Sequence, residues 1–292
     1  MSAFRQTFTY HRSINWFPGH MARGIRQIKE RLQRDVDLVV EFERLARRKR
    51  RLIVYNKADL ADPAAEEPIR QAFTRQAHQS VVFTDANNNT NVDVVLQHAA
   101  DAARQSAQRL ARTTVMVVGM PNVGKSSIIN ALRRQGLGRG KAAVTGAQPG
   151  VTRTVAGTVK VLDNPEVHLL DTPGVMIPHI EDPITSLKVA VTGGIRDHLA
   201  DEEMMADYLL FRLNQLGNAG YTTVLGLESP TDDVHRLLMH VAARIGAIRR
   251  GGEVDLSAAA MFFLRKYRDG RFGRLTLDDV NASTIAQHLG HK

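Results

Sequence analysis

Apolar residues recur over the first 180 positions as short β-rich runs separated by stretches of helical spacing. Val36–Phe42, Arg51–Tyr55, Val81–Phe83, Thr114–Val118, Val155–Leu162 and Val167–Leu170 read as strands by their β-branched content. Ala22–Arg34, Glu66–Ala77 and Val92–Leu110 read as helices between them. That alternation predicts an α/β fold with a doubly wound, mostly parallel sheet. From about Ile184 the pattern turns helical throughout. Met204, Met205, Tyr208, Leu209, Phe211 and Leu213 share helical spacing, as do Val234, Leu237, Leu238, Val241 and Ile245. The expected organisation is an N-terminal segment over 1–21, the α/β domain over 22–180 and a small all-helical domain over 181–292.

At 292 residues and 43% apolar content, the chain can bury a full core for one domain and an appendage. No apolar run reaches the ~18 residues that a membrane span needs. Cysteine is absent, which excludes disulfides and thiolate metal sites and fits a reducing compartment. The net charge of +9 points to a polyanionic partner. Residues 1–51 hold 13 Lys/Arg against 5 Asp/Glu, nearly the whole surplus. The opening stretch carries Arg5, Arg12, Ser2 and Ser13 and no carboxylate before Glu30. It reads either as a mitochondrial transit segment or its remnant, or as a flexible basic leader.

Two motifs carry the chemistry. Gly119-Met120-Pro121-Asn122-Val123-Gly124-Lys125-Ser126 follows an apolar strand and precedes a helix, the setting of a phosphate-binding loop. Its glycines let backbone N–H groups turn toward phosphates, Lys125 neutralises β/γ oxygens, and Ser126 offers a hydroxyl to Mg²⁺. Asn56-Lys57-Ala58-Asp59 ends the second strand. A carboxylate at Asp59 accepts from both guanine N1–H and the N2 amino group, neither of which adenine offers. Losing such buried pairs discriminates by roughly 10⁴-fold. Asn56 would orient base and loop, with the Lys57 stem over the ring. Ordinary GTPases place the phosphate loop first, so the inverted order here reads as a circularly permuted P-loop GTPase domain.

Further elements complete the set. Thr152, in Gln148-Pro149-Gly150-Val151-Thr152, lies 26 residues past Ser126, where its hydroxyl could reach Mg²⁺ and the γ-phosphate. Asp171-Thr172-Pro173-Gly174 follows, Asp171 holding Mg²⁺ through water and the Gly174 N–H meeting the γ-phosphate. Thr84-Asp85-Ala86 would close over the base by backbone contact, with Asn87-Asn88-Asn89 a turn beside it. Many GTPases place a water-orienting glutamine after this Asp-x-x-Gly; here Val175 stands there, so unaided turnover is expected to be slow. The Asn122 amide either ligates a monovalent cation between phosphates or caps the loop.

Arg44-Leu45-Ala46-Arg47-Arg48-Lys49-Arg50-Arg51 packs six cations into eight residues, either a solvated helix face or a surface for RNA phosphates. A second basic set includes Arg249, Arg250, Arg265, Lys266, Arg268, Arg271 and Arg274. Two other functions compete with a GTPase. A non-hydrolysing RNA-binding scaffold using GTP structurally is kept open by Val175. An ATP-dependent metabolic enzyme requires Asp59 to be coincidental.

These residues resemble the circularly permuted ribosome-assembly GTPases of the RbgA/YlqF type, most of all the mitochondrial ribosome-associated branch. Trp16-Phe17-Pro18-Gly19-His20-Met21 is similar to that family's N-terminal motif, Gly119 to Ser127 to its phosphate loop, and Asp171 to Val175 to its second switch. Leu132-Arg133-Arg134-Gln135, Asp197-His198-Leu199 and Met205 to Leu210 suggest the mitochondrial branch. The resemblance implies GTP/GDP with Mg²⁺, potassium activation through Asn122, and Val123, Gly124 and Ser127 at the phosphates. It also implies help in hydrolysis from His20, which otherwise reads as incidental to an apolar Trp-Phe-Pro-Gly turn. The implied partners are the large ribosomal subunit with its rRNA, ribosomal proteins and other assembly factors, joined by a monomer during late maturation. The implied setting is the mitochondrial matrix, with peripheral contact at the inner membrane, or a bacterial-type cytoplasm. The family continues the first strand into Asp-Ala-Arg-x-Pro, whereas Phe42 here runs into Glu43-Arg44-Leu45. Either that loop is lost or the sequence is closed up across it, and its family roles are not carried over.

Overall fold

The computed structural model describes residues 4–12, 14, 21, 25–28, 38–40, 50–77, 79–106, 112–140, 157–175, 180–281 and 283–285. His20, Thr152, Arg44, Arg47, Arg48 and Lys49 lie outside the described residues, as do most of the 22–34 helix and the ends of the 36–42 strand. The chain divides into two compact units, residues 17–177 with 278–292, and residues 1–16 with 178–277.

The first unit is built on six strands, β1 (Leu38–Val40), β2 (Arg50–Asn56), β3 (Ser80–Thr84), β4 (Thr113–Val117), β5 (Thr158–Leu162) and β6 (Val167–Asp171). Their order is β3-β2-β1-β4-β6-β5, parallel except for the β5–β6 pair. Among the described residues, the helices joining them are α1 (Glu66–Ala77), α2 (Val92–Ser106) and α3 (Lys125–Leu137). Every residue of β4 is buried, as expected of a central strand covered on both faces. Alternation sorts the other strands. Leu52, Val82, Val115 and Val117 face a core shared with Val95, Ala99, Ile128, Ile129 and Leu132 of α2 and α3. Ile53, Val81 and Phe83 face the other way, against Ile69 and Phe73 of α1. Parallel packing of this kind sends the C-terminal ends of β2, β3 and β4 to one edge, and the motif loops follow those ends.

The second unit contains α4 (Pro183–Val191), α5 (Glu202–Gln215), α6 (Gly220–Leu225), α7 (Val234–Ile245) and α8 (Leu256–Arg268). Asp182, Asp201, Asp233 and Asp255 each accept from an amide of the first turn that follows, at 2.9 to 3.2 Å. Such caps are worth ~1 kcal/mol each. Helix α5 is buried nearly all round, through Met205, Tyr208, Leu209, Leu210, Phe211 and Leu213, and is the unit's central helix. Around it pack Leu237 and Val241 of α7 and Ala260 and Phe263 of α8. Ile245, grouped by spacing with the apolar face of α7, is instead exposed. It is the helix's last residue, and Gly246 at φ 67° turns the chain away there.

Candidate nucleotide site

Three loops converge where β2, β3 and β4 end. Asn56, the last residue of β2, ties them together. Its Nδ2 donates to the Val123 carbonyl at 3.1 Å, and its Oδ1 accepts from Thr84 Oγ1 and the Ala86 amide, each at 3.2 Å. One amide side chain thus spans the tetrapeptide, the phosphate loop and the loop after β3. The Ala58 amide adds a bond to the Thr84 carbonyl at 3.0 Å. Among the described residues, the non-glycine positions with positive φ are Lys57, Asn89, Asn91 and Asn122, all within these loops. The three asparagines adopt this conformation readily in tight turns, and Lys57 is the one residue among them for which it is uncommon.

The phosphate loop is held closed from within. Lys125 Nζ donates to the carbonyls of Gly119 at 3.1 Å and Met120 at 2.6 Å. Gly124 has φ 94°, and a Cβ there would stand 2.2 Å from Asn56 Nδ2, so the Asn56 bridge requires glycine at this position. The turn after β6 lies against the same loop. The Val175 amide donates to the Gly119 carbonyl at 3.1 Å, and a Cβ on Gly174 would stand 2.6 Å from Pro121 Cα. The Val175 side chain is itself buried, so the residue standing in for a water-orienting glutamine is spent on packing. Asn122 sits in this loop, with φ 63°.

Asp171 and Ser126 meet beneath the loop. Ser126 Oγ donates to Asp171 Oδ2 at 2.9 Å, while Asp171 Oδ1 is buried with no protein partner among the described residues. Burial pushes the Asp171 carboxyl above the usual carboxylate range, against the opposing pull of the Ser126 hydroxyl and the Lys125 charge. A buried carboxylate oxygen beside a hydroxyl, both hard donors, fits a divalent cation such as Mg²⁺. Thr172 fixes this corner. Its hydroxyl donates to the Val117 carbonyl at 2.7 Å, joining β6 to β4 just before the phosphate loop. Sequence reasoning gave Thr172 no role, because its partner lies 55 residues away and no local pattern announces the bond.

The structure therefore brings Asn56, Thr84, Ala86, Val123, Gly124, Lys125, Ser126, Asp171 and Gly174 together. Asp59 follows Asn56 by three positions and is exposed. Asp85 is buried and turned to its own turn, accepting from the amides of Asn87 at 2.9 Å and Asn88 at 3.2 Å. The loop's contribution is thus backbone plus a self-contained Asx turn. Elsewhere, Arg50 is exposed on β2, and Arg265 is exposed on α8, where Lys266 lies 4.9 Å from the Phe262 ring centre. Arg268 departs from the basic-surface reading. Its guanidinium pairs with Asp197 at 2.7 Å and donates to the carbonyls of Ala190 and Val191 at 2.9 and 2.8 Å, closing the end of α4.

A family model described as "50S ribosome-binding GTPase" matches residues 114–237. The chain is 39% identical to mitochondrial ribosome-associated GTPase 1 of Xenopus tropicalis, over 90% of this chain and 94% of that protein. The protein of the same name from Mus musculus is 39% identical over 94% of each. Mitochondrial GTPase 1 of Aedes aegypti is 33% identical over 95% of this chain and 98% of its own. Among solved structures, GNP-bound YlqF from T. maritima superposes with a TM-score of 0.59 at 22% identity, covering 89% of this chain and 99% of that one, a likeness of fold.

Proposed function

The chain belongs to the family of mitochondrial ribosome-associated GTPases, and from that premise we propose that it acts in late maturation of the mitochondrial large ribosomal subunit, gripping rRNA in its GTP state. The GTPase carries guanine selection at Asp59, oriented by Asn56 and with the Lys57 stem over the base. Thr84-Asp85-Ala86 closes over the purine by backbone contact. Lys125 exchanges its bonds to the loop carbonyls for β/γ-phosphate oxygens, and the amides from Val123 to Ser127 turn toward the phosphates. Ser126 and, through water, Asp171 would hold Mg²⁺, joined by Thr152 in the triphosphate state, and the ion would supply positive charge against the phosphate oxygens. The Gly174 amide meets the γ-phosphate. His20 would assist the attacking water, and the Asn122 amide would help hold potassium, supplying charge stabilisation such as an arginine finger gives. The observation supporting this reading is the Asn56 bridge, which hydrogen-bonds the guanine tetrapeptide to the phosphate loop and to the loop after β3.

Nucleotide state reaches RNA through the segment after Gly174. GTP orders the Thr152 and Gly174 loops, Val175–Ile184 carries that order to the helical domain, and hydrolysis releases it. Arg44, Arg47, Arg48, Lys49 and Arg50 contact rRNA phosphates from one unit, and Arg265 and Lys266 from the other. The protein is a monomer away from the ribosome and works in the matrix, peripherally associated with the inner membrane. No described helix is long and apolar enough to cross a membrane. Phosphate release from GTP, measured with and without mitochondrial large subunits in potassium and in sodium, tests the proposal. Stimulation by subunits in potassium is expected. Equal subunit affinity with GDP and with a non-hydrolysable GTP analogue would sink the GTP-dependent grip on rRNA.

A further inference from the structure

Within the segment whose composition resembles a targeting leader, the described residues 4–12 and 14 make specific contacts. Arg5 meets Asp207 through both ends of its fork, Nη2 to Oδ1 at 2.7 Å and Nη1 to Oδ2 at 3.1 Å. Its Nε reaches Asp232 Oδ1 at 3.1 Å, and its backbone amide donates to Asp232 Oδ2 at 2.7 Å. Three residues on, the Phe8 ring stands edge-on to Tyr208 at 5.2 Å between centres and 5.5 Å from Phe211. The Arg5 guanidinium lies 5.8 and 5.9 Å from the rings of Phe8 and Phe211, a cation against two π faces. Ile14 ends the segment, buried.

The receiving groove is built by the helical unit. Asp207, Tyr208 and Phe211 lie on α5, and Asp232 is steadied by Asn214 Nδ2 at 3.4 Å. The Asp207 and Asp232 side chains are only 20% exposed with Arg5 in place. Without it, two adjacent half-buried carboxylates would lose their shared counter-ion, and the aromatic pair would lose the ring packed on it. An arginine fork across two carboxylates, followed at the fourth position by an aromatic wedge, is how a peptide is recognised.

We propose that residues 4–12 are a latch, a peptide segment bound in cis, with Arg5 as its key and Phe8 as its wedge. The groove of Asp207, Asp232, Tyr208 and Phe211 is a receptor for an Arg-x-x-Phe segment. The working protein retains that segment, and N-terminal trimming that leaves it stable stops before Arg5. Nothing in the inference depends on the nucleotide reading.

Thermal unfolding of full-length Arg5→Ala, Asp207→Ala and the double variant tests it, with hydrogen exchange on the unaltered protein alongside. Each single change is expected to lower the helical unit's transition by roughly 4–8 °C, and the double variant by no more than the worse single. Arg5→Lys recovers part of the loss, because a point charge cannot span both carboxylates. GDP affinity stays unchanged in every variant. The Arg5 amide exchanges slowly, and Asp232→Ala, which removes its acceptor, speeds it at least ~tenfold. Additive losses, an Arg5→Ala transition equal to that of the parent, or random-coil exchange at the Arg5 amide would each overturn the latch.

Discussion

Gly174→Ala tests whether the turn after β6 and the phosphate loop form one working surface. A methyl group at residue 174 would stand 2.6 Å from Pro121 Cα, 2.8 Å from Pro121 N and 2.9 Å from Pro121 Cγ. Carbon atoms rest at about 3.5–4.0 Å, so one segment must retreat by about 1 Å. Two of the three atoms are backbone, and no rotamer change relieves them. Overpacking of this kind costs ~1–3 kcal/mol. With GDP the cost is met by letting Thr172–Val175 lift from the loop, weakening the Val175–Gly119 bond. On the proposed reading a triphosphate would draw the Gly174 amide back toward its γ-phosphate, and the full cost would fall on GTP. The expected result is a non-hydrolysable GTP analogue binding ~5–150-fold more weakly relative to GDP. Calorimetric titration of both nucleotides in Mg²⁺ measures it. Equal losses for the two, or none, would refute the claim that residue 174 touches the loop through the γ-phosphate.

Asn56→Ala removes the donor to Val123 and the acceptor for Thr84 and Ala86, and should weaken guanine nucleotide by ~10–2000-fold at about 0.5–1.5 kcal/mol per bond; unchanged affinity for a fluorescent GDP would rule out the bridge. Burial raises the folded pKa of Asp171, so its contribution is complete below the ordinary carboxylate value of 3.8 and is lost as pH rises through the raised folded value. Asp171→Asn should therefore stabilise the nucleotide-free protein at pH 7 and abolish the Mg²⁺-dependent gain, both read by thermal shift; a destabilised nucleotide-free variant would contradict the assignment. Tyr221→Phe strips the hydroxyl that donates to Asn214 Oδ1 at 2.9 Å and accepts from the Thr231 amide at 3.1 Å. The cost should be ~1–3 kcal/mol in denaturant unfolding, and a loss below 0.5 kcal/mol would show water replacing the network.

What the sequence disclosed and what it hid divide by chain separation. The phosphate loop, the guanine tetrapeptide and the Asn87–Asn89 turn announce themselves within a few residues, because backbone needs select glycine and asparagine locally. The strand Arg51–Tyr55 was legible from its β-branched run, and it extends to Asn56 because pairing with Thr84 of β3 continues that far. The bonds that assemble the site are long-range. Asn56 reaches Val123 across 67 residues, Thr172 reaches Val117 across 55, and Arg5 reaches Asp207 across 202. Periodicity cannot signal such partners. The ion pairs of Arg5 were hidden likewise, because composition counts charges and does not say where they are spent.

The same distinction limits what the basic surface of the helical unit can do. Counted along the chain, Arg249, Arg250, Arg265, Lys266, Arg268, Arg271 and Arg274 look like one RNA-facing set. In the fold, Arg268 closes α4 and pairs with Asp197, Arg249 pairs with Asp255 at 3.2 Å, and Lys266 lies over Phe262. Each of these must give up a partner before it meets a phosphate, and an arginine holding backbone carbonyls gives up the most. Arg250, Arg265 and Arg271 are exposed. Counterion release scales with phosphates neutralised, at a slope of about −0.7 to −0.9 per contact. Whatever grip this unit has on rRNA therefore rests first on those exposed arginines, and the total net charge overstates it.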